Sequence, residues 1–287
     1  MDNAFARART FILTQARLLE RFLFAVQFEQ ADPRTVGQLV SACQNADGGL
    51  GHALEPDLRS PLSQPLFIEI GLRALHDVGW KDQALASNFC TFLEKVSDER
   101  GLVPPILPNA LESPHASHWS GPQSAGINPT AAICGLLIDQ GVQHPWLARA
   151  TETCCDILLT QPPDEAHGLV CAPIFAEHLP DKQLGDRIET MLATQLKTAR
   201  FFIPEAPVLD YGLTPLHFAP SPESRWRNLF TAEQIHGHLE DLKSKQMDDG
   251  GWPISWDPPG PAAICEWRGR WTLDAIKILT AYGVIEP

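Results

Sequence analysis

The stretch Gln246-Met247-Asp248-Asp249-Gly250-Gly251-Trp252 decides the fold that we predict for this chain. An earlier stretch, Gln44-Asn45-Ala46-Asp47-Gly48-Gly49-Leu50, repeats its glutamine, aspartate and paired glycines. Each copy ends a segment with helical periodicity, turns, and leads through prolines into another such segment. Glycine supplies the positive φ that a chain needs to reverse between two helices. We therefore interpret both copies as helix-reversing turns, with an architectural rather than a catalytic role.

Weaker copies of the same turn extend the repeat along the chain. A degenerate third copy is Asp98-Glu99-Arg100-Gly101-Leu102, and a fourth is Glu165-Ala166-His167-Gly168-Leu169. Helical periodicity surrounds these turns, beginning with one long amphipathic helix over about residues 4–29 and ending with a helix at about residues 271–282. A repeat of helix, turn and helix predicts stacked pairs that cover one another's apolar faces. We expect an all-α fold: a single domain over residues 1–287, shaped as an α/α toroid of about five to six helix pairs.

Composition and charge exclude several classes of protein. The chain has 287 residues, 44% of them hydrophobic, which is enough for a substantial buried core. Its formal net charge of -13 and its lack of a lysine or arginine run argue against binding to nucleic acid or to an anionic membrane surface. The sequence predicts no helix that spans a membrane and no cleavable signal. The seven scattered cysteines have neither metal-binding nor disulfide spacing, so we expect reduced thiols and a cytoplasmic location.

At these turns the chain resembles the superfamily of terpenoid cyclases and protein prenyltransferases. The QW repeats of that superfamily end a helix with glutamine, turn on Gly-x-Trp or Gly-Gly-Phe, and begin the next helix. Gln246 to Trp252 is similar to that pattern, and Gln44 to Leu50 with its proline-bearing loop is similar to the repeat of the prenyltransferase β subunit. The resemblance covers nearly the whole chain. It implies a toroid in which the segment after each Gly-Gly turn lies at the mouth of a central cavity.

The sequence departs from the chemistry of that superfamily. The Asp-x-Asp-Asp run with which squalene-hopene-type cyclases protonate an alkene is missing, because Asp248 and Asp249 have no upstream partner. The Asp-Asp-x-x-Asp motif that binds magnesium and diphosphate is also missing, as is the Asp, Cys and His set that binds zinc in protein prenyltransferases. The same toroid serves glycan-processing enzymes and thioester-containing proteins, so the fold alone does not decide the reaction. We expect no metal and no cofactor.

The segment after the first turn concentrates groups that can move a proton, namely His52, Glu55, Asp57 and Arg59. Two carboxylates this close favour protonation of one of them, which beside an apolar cavity becomes a general acid. We take Glu55 or Asp57 as that acid and His52 as one candidate for the base. The structural alternative, in which the carboxylates cap the next helix or pair with Arg59, stays open.

The segment after the last turn is rich in aromatic and charged side chains. Tryptophan faces stabilise cations by about 0.5 to 2 kcal/mol each, which suits a carbocation or a quaternary ammonium group. Trp256 and Trp267 are therefore interpreted as walls of a binding cavity, whereas Trp252 and Trp271 are expected to fill the core. Glu266 is a second candidate for the base, unless it pairs with a neighbouring arginine. The other residues that we assign to substrate binding are Arg59, Trp119, Tyr211, Asp257 and Arg268.

Two histidines of the proline-rich segment 103–127, His115 and His118, have the spacing of a metal pair. They have no third ligand nearby in the sequence, and a long proline-rich segment is typical of a mobile or functional loop. We therefore interpret both as exposed loop residues or as part of a lid over the cavity.

From these residues we expect an enzyme that cyclises or rearranges a hydrophobic small molecule, isoprenoid or polyketide-like, by proton transfer in an apolar cavity. Two alternatives stay open. One is a binding or scaffold toroid without chemistry. The other is a carbohydrate-active (α/α) enzyme whose paired carboxylates, Glu55 or Asp57 and Asp257 or Glu266, work across a glycosidic bond. The sequence is also compatible with a homodimer.

Overall fold

The protein is all-α, as the sequence predicts. A computed structural model describes residues 4–287, and within that range it contains helices and isolated bridges but no β-strand. The α-helices, numbered along the chain, are α1 Ala4–Gln15, α2 Leu18–Glu29, α3 Arg34–Ala42, α4 Pro65–Asp77, α5 Gln83–Val96, α6 Ile127–Asp139, α7 Pro145–Thr160, α8 Ala166–Leu169, α9 Cys171–His178, α10 Lys182–Gln195, α11 Pro215–Phe218, α12 Ala232–Ser244 and α13 Pro261–Ala281.

These helices belong to two compact units. The described residues up to Ala31 together with Arg200–Pro287 form one, which we call the terminal unit. Asp32–Ala199 forms the other, the middle unit. The single domain over residues 1–287 stays a prediction. Every helix within residues 4–287 is too short or too polar to cross a lipid bilayer.

Residues 4–29 form two helices instead of the one long helix that the sequence predicts. α1 and α2 are separated at Ala16 and Arg17, and Arg17 has an extended backbone with φ -72° and ψ 168°. Its guanidinium pairs with the fully buried Glu20 at 2.7 Å, which fixes the break. The apolar periodicity continues across the break because both helices pack on α13. The pattern alone therefore could not reveal it.

In the middle unit the helices form two layers. α4, α6 and α9 make one layer, with α6 between the other two. α3 packs on α4, α7 on α6 and α10 on α9, and these three helices with α5 make the second layer. α6 is apolar on all sides because it is surrounded, and every residue from Pro129 to Leu137 is buried. Gly135 allows α9 to approach closely, since a Cβ there would lie 2.6 Å from the Cα atom of Phe175.

Three of the four predicted turns have the same hydrogen bonds. The first residue of each turn donates its backbone N–H to the residue four positions on, and the residue three positions on donates back to the first. The residue that donates back, three positions after the first, is always a glycine, with φ of 93°, 87° and 91° in the three turns. The prediction that these stretches reverse the chain is confirmed. The residues involved are Asn45, Gly48 and Gly49, then Asp98, Gly101 and Leu102, then Met247, Gly250 and Gly251.

The fourth predicted turn, at residues 165–169, is wrong. Glu165 is instead the N-cap of α8, where its carboxylate accepts the backbone N–H groups of His167 at 2.9 Å and of Gly168 at 2.6 Å. Gly168 lies inside that helix and lacks the positive φ of the turn glycines. A glycine three residues after an acidic side chain fits a capped helix start as well as a turn, so the short pattern could not separate the two.

Each of the three confirmed turns packs against the backbone of another helix. A Cβ at Gly48 would lie 2.7 Å from the carbonyl oxygen of Asn88 in α5. In the degenerate turn after α5, a Cβ on the glycine would lie 3.2 Å from Ala150 in α7. In the terminal unit, a Cβ at Gly250 would lie 2.4 Å from the carbonyl oxygen of Arg7 in α1. The last turn therefore packs on α1, as the two earlier turns pack on α5 and α7.

The terminal unit is built around α13, on which α1, α2 and α12 pack. This helix begins at Pro261, so the predicted start at about residue 271 is wrong. Proline is favoured at the first helical position because its missing N–H would be unbonded there, and Gly260 before it has φ 105°. The charged and half-exposed residues of the first three turns concealed the periodicity. Glu266, Trp267 and Arg268 consequently lie on a helix and not in a loop.

Candidate acid–base site

Two loops of the middle unit pair with each other at the N-terminal ends of α4 and α6. Arg59 donates its backbone N–H to Pro114 at 2.9 Å, and Ala116 donates to the carbonyl oxygen of Asp57 at 2.8 Å. Leu66, in the first turn of α4, donates to Pro105 at 2.9 Å. These bonds give the proline-rich segment 103–127 a defined path, although little of it is helical. They also bring the carboxylates after the first Gly-Gly turn close to the histidines of that segment.

Asp57 and His118 face each other in this site. Oδ2 of Asp57 lies 3.7 Å from Nε2 of His118. Asp57 is only 2% exposed, and Glu55 two residues earlier is 6% exposed. The histidine side chain is half exposed, at 50%. The pair therefore joins a buried carboxylate to an imidazole that a ligand can reach.

His118 is mostly neutral at pH 7. Burial lowers its pKa below the ordinary value of 6.5, and the nearby His167 lowers the pKa further. The carboxylate of Asp57 is 3.7 Å away, which is longer than a hydrogen bond, and the pKa of His118 stays below its ordinary value. When a neutral imidazole carries its proton on Nε2, the nitrogen that faces Asp57, Nδ1 is left as the proton acceptor. This chemistry suits a general base.

A second histidine and carboxylate pair, His167 and Glu165, acts electrostatically on His118. Nδ1 of His167 lies 2.8 Å from Oε2 of Glu165, the carboxylate that also caps α8. Burial alone would raise the pKa of Glu165, but the hydrogen bonds from His167 and from the backbone outweigh burial and hold that pKa below its usual value. Glu165 therefore stays ionised and fixes the ring of His167.

The other residues of the two loops have varied surroundings. Trp119 is half-buried, and its ring lies 4.8 Å from that of His118. Both ring nitrogens of His115 contact its own loop, Nδ1 at 2.7 Å from the carbonyl oxygen of Ser113 and Nε2 at 3.2 Å from Oγ of Ser120. His52 is exposed, with φ 62°. Arg59 is half-buried. The sequence analysis gave both loop histidines the same interpretation, whereas in the structure the ring of His115 bonds within its own loop and the ring of His118 faces Asp57.

In the terminal unit, three of the predicted binding residues form an aromatic cluster. The rings of Trp256 and Trp267 meet edge to face at 5.0 Å, and the rings of Tyr211 and Trp256 do so at 6.1 Å. The indole N–H groups of both tryptophans are buried and donate to no group among residues 4–287. Asp257 beside them is exposed. The cluster offers aromatic faces together with two hydrogen-bond donors.

The guanidinium of Arg268 is occupied by contacts within the terminal unit. It donates to Oδ1 of Asp249 at 2.8 Å and to the carbonyl oxygen of Trp252 at 3.2 Å, and its guanidinium lies 4.6 Å from the centre of the Phe11 ring. It thus ties α13 to the last Gly-Gly turn, and the hydrogen bond from Arg268 lowers the pKa of Asp249. Glu266, two residues earlier on the same helix, is half-buried.

The core tryptophans differ from each other. Trp252 is 1% exposed and donates its indole N–H to the carbonyl oxygen of Leu242 at 2.7 Å, so its predicted core position is confirmed. Trp271 was expected to fill the core as well, but it is only half-buried, with its ring 5.5 Å from that of His217. Trp271 therefore lies on the aromatic and charged face of α13 and not on its buried face.

The predicted site residues therefore fall into two groups, each in its own unit. His52, Glu55, Asp57, Arg59 and Trp119 lie in the paired loops of the middle unit, and the remainder lie in the terminal unit. Sequence reasoning missed His118 as the partner of Asp57, and it missed the Glu165 and His167 pair. The signal for His118 was its place in a long proline-rich segment beside a tryptophan.

Comparison with known proteins adds no assignment. No protein family, no curated protein and no solved structure matches this chain.

Proposed function

We propose that this chain is an enzyme that cyclises or rearranges a hydrophobic small molecule by proton transfer. The observation that carries this proposal is the pairing of buried Asp57 with the accessible, neutral His118. Positioned acid–base groups of this kind accelerate reactions by about 10²- to 10⁴-fold. The resemblance to terpenoid cyclases agrees with the proposal, although their Asp-x-Asp-Asp acid is missing from this sequence.

Each residue of the middle unit then has a distinct role. His118 accepts a proton on Nδ1, and Asp57 stabilises the imidazolium that forms. Glu55 is the second carboxyl of the loop and the proposed proton donor. His167, held by Glu165, disfavours charge on His118 before the reaction. His118 replaces His52 as the first candidate for the base, because the ring of His118 faces the buried carboxylate of Asp57.

The aromatic cluster of the terminal unit supports a substrate with apolar and polar parts. Aromatic faces suit a hydrocarbon chain or a developing cation. The buried indole donors of Trp256 and Trp267 suit a hydrogen-bond acceptor, because a buried donor without a partner costs about 1 to 3 kcal/mol. An isoprenoid or polyketide-like molecule with one oxygen function fits both properties.

The α/α toroid is part of the same proposal. The repeated packing of the turns supports it. The turn after α3 packs on α5, the turn after α5 packs on α7, and the turn after α12 packs on α1. A chain whose last turn contacts its first helix in this way would close a circle of helix pairs. Small-angle X-ray scattering tests this, since one compact domain of this length has a radius of gyration of about 19 Å. Two units that move independently would give a larger value, and the scattering mass separates a monomer from a homodimer.

The reaction class can be tested in heavy water. Purified protein is incubated in D₂O with squalene, farnesol, geranylgeraniol and a linear polyketide-like polyene, and products are analysed by mass spectrometry. The proposal expects an isomeric product that has gained deuterium on carbon. Aryl glycosides in the same screen test the carbohydrate alternative, and their hydrolysis would contradict the proposal. Ligand binding without any deuterium transfer would instead favour a binding toroid. We further propose a cytoplasmic location, which the free thiols of all seven cysteines support.

A further inference from the structure

The C-terminal ends of α4, α6 and α9 bring two histidines and an aspartate together in the middle unit. His76 lies in the last turn of α4, and Asp139 and His178 are the final residues of α6 and α9. One ligand atom of each lies within 4.8 Å of the ligand atoms of the other two. Nδ1 of His76 is 3.1 Å from Oδ2 of Asp139, and Nδ1 of His178 is 3.6 Å from Oδ1. The cluster is partly buried.

These contacts place it away from the acid–base site. The Asp57 and His118 pair lies at the N-terminal ends of α4 and α6, whereas this cluster lies at their C-terminal ends. α6 has 13 residues, so the two sites are separated by roughly 18 Å along its axis. None of the three residues takes part in the proposed proton transfer.

The ligand atoms of this cluster are of the kinds that bind a transition-metal ion. Two imidazole nitrogens and one carboxylate oxygen bind zinc and its neighbours in the first row, and three protein ligands leave one coordination position open. The rings of His76 and His178 are nearly perpendicular, at 82°, with centres 5.2 Å apart. Three helix C-termini add partial negative charge at the same place, which favours a cation.

Two further observations point to a ligand here. Nε2 of His178 is buried and bonds to no group among residues 4–287. In addition, the ammonium group of Lys81 contacts Oδ2 of Asp139, so the protein already places a cation against the shared carboxylate. The lysine side chain is 46% exposed and can swing into solvent. A metal ion that is bound by all three residues would then replace the ammonium group, which contacts Asp139 alone.

We propose that His76, Asp139 and His178 bind one divalent transition-metal ion, with Zn²⁺ as the reference metal, and that Lys81 is the internal cation that it displaces. The sequence did not predict a metal because the three residues are 63 and 39 positions apart in the chain, far from any local ligand pattern. Helix ends that lie side by side bring them together. The proposal does not depend on the proposed function.

Isothermal titration of chelator-treated protein with Zn²⁺ tests the proposal. The wild type is expected to bind one equivalent, and Asp139→Asn and His178→Gln are expected to weaken binding by more than about 100-fold. His236→Gln, which removes an exposed histidine in α12, is the matched control and should bind as the wild type does. Circular dichroism confirms that each variant is folded. Absence of zinc binding to the wild type, or unchanged binding to both ligand variants, overturns the proposal.

Two more measurements separate this site from zinc binding to cysteine. Co²⁺ bound by two imidazoles and a carboxylate gives visible d–d absorption without a thiolate charge-transfer band, and such a band would overturn the proposal. Lys81→Met removes the competing ammonium group and is expected to bind Zn²⁺ about 5-fold more tightly, since it eliminates the partly exposed ion pair with Asp139. Weaker binding to Lys81→Met than to the wild type would contradict the displacement.

Discussion

The side-chain amide of Gln246 donates a 2.8 Å hydrogen bond to the carbonyl oxygen of Ala4, which joins the last Gly-Gly turn to the first helix of the chain. The same amide donates to Gly250 at 2.9 Å, and its oxygen accepts from Arg7 at 2.7 Å. Gln44 repeats the local bond, donating to Gly48 at 3.1 Å. The glutamine of the repeat thus holds its own turn and, at the end of the chain, also anchors the N-terminal helix.

Gln246→Ala is expected to lower the free energy of unfolding by about 2 kcal/mol, because it removes three hydrogen bonds at a partly buried position. Urea denaturation followed by circular dichroism measures the change. Gln143→Ala, at an exposed position in a loop, is the control and should stay within about 0.5 kcal/mol of the wild type. Equal stability of the two variants would show that the glutamine does not anchor α1.

Gly250→Ala is expected to cost more than about 2 kcal/mol, because alanine rarely adopts a positive φ and its Cβ would meet the backbone of α1. Two control variants separate these causes. Gly283 has φ 67° but open space around it, so Gly283→Ala should cost about 1 kcal/mol. Gly121 has open space and no positive φ, so Gly121→Ala should be nearly neutral. Thermal denaturation measures the melting temperatures of the three variants. Equal melting temperatures for Gly250→Ala and Gly283→Ala would contradict the packing argument.

Glu165→Gln should have an effect that depends on pH. The pKa of Glu165 is lowered in the folded protein, so its charge stabilises the fold above the unfolded pKa of about 4.3 and this contribution disappears as pH falls through the folded pKa. We expect the variant to be about 1 kcal/mol less stable at pH 7 and nearly as stable as the wild type near pH 3. Urea denaturation at several pH values measures this. A difference that is constant between pH 7 and pH 3 would exclude a charged cap.

His118 should titrate below 6.5, since burial and His167 both lower its pKa. The pH dependence of the ring-proton chemical shifts measures this directly, with His118→Gln used to assign the resonance. His167→Gln should raise the pKa of His118 by removing a neighbouring charge, and Asp57→Asn should lower it by removing the carboxylate at 3.7 Å. A pKa of 6.5 or higher in the wild type would argue against a base that is neutral at pH 7.

The sequence predicted the fold where periodic patterns and glycine chemistry act locally. The turns at Gly48, Gly101 and Gly250 could be predicted because a positive φ is a local requirement that few residues other than glycine satisfy. The break at Ala16 and Arg17 could not, because the apolar stripe continues through it. The start of α13 at Pro261 was missed because its first turns face outward and lack an apolar stripe.

The candidate site was only partly predictable, for a related reason. Asp57 and Glu55 stand in one short loop and could be identified together. The partner of Asp57 is His118, 61 positions later, and backbone hydrogen bonds between two loops bring them together. The cluster of His76, Asp139 and His178 depends in the same way on the packing of three helices. Single-sequence patterns contain little information on such long-range pairings.

The central claim is that His118 and Asp57 transfer a proton, and a matched pair of histidine variants tests it most directly. Deuterium transfer from D₂O is measured with the substrate found in the screen, for the wild type, His118→Gln and His115→Gln. His115 lies in the same loop but contacts only that loop through its ring nitrogens. We expect the rate to fall by about 100-fold or more in His118→Gln and to remain near the wild-type rate in His115→Gln. Wild-type deuterium transfer by folded His118→Gln would contradict the account.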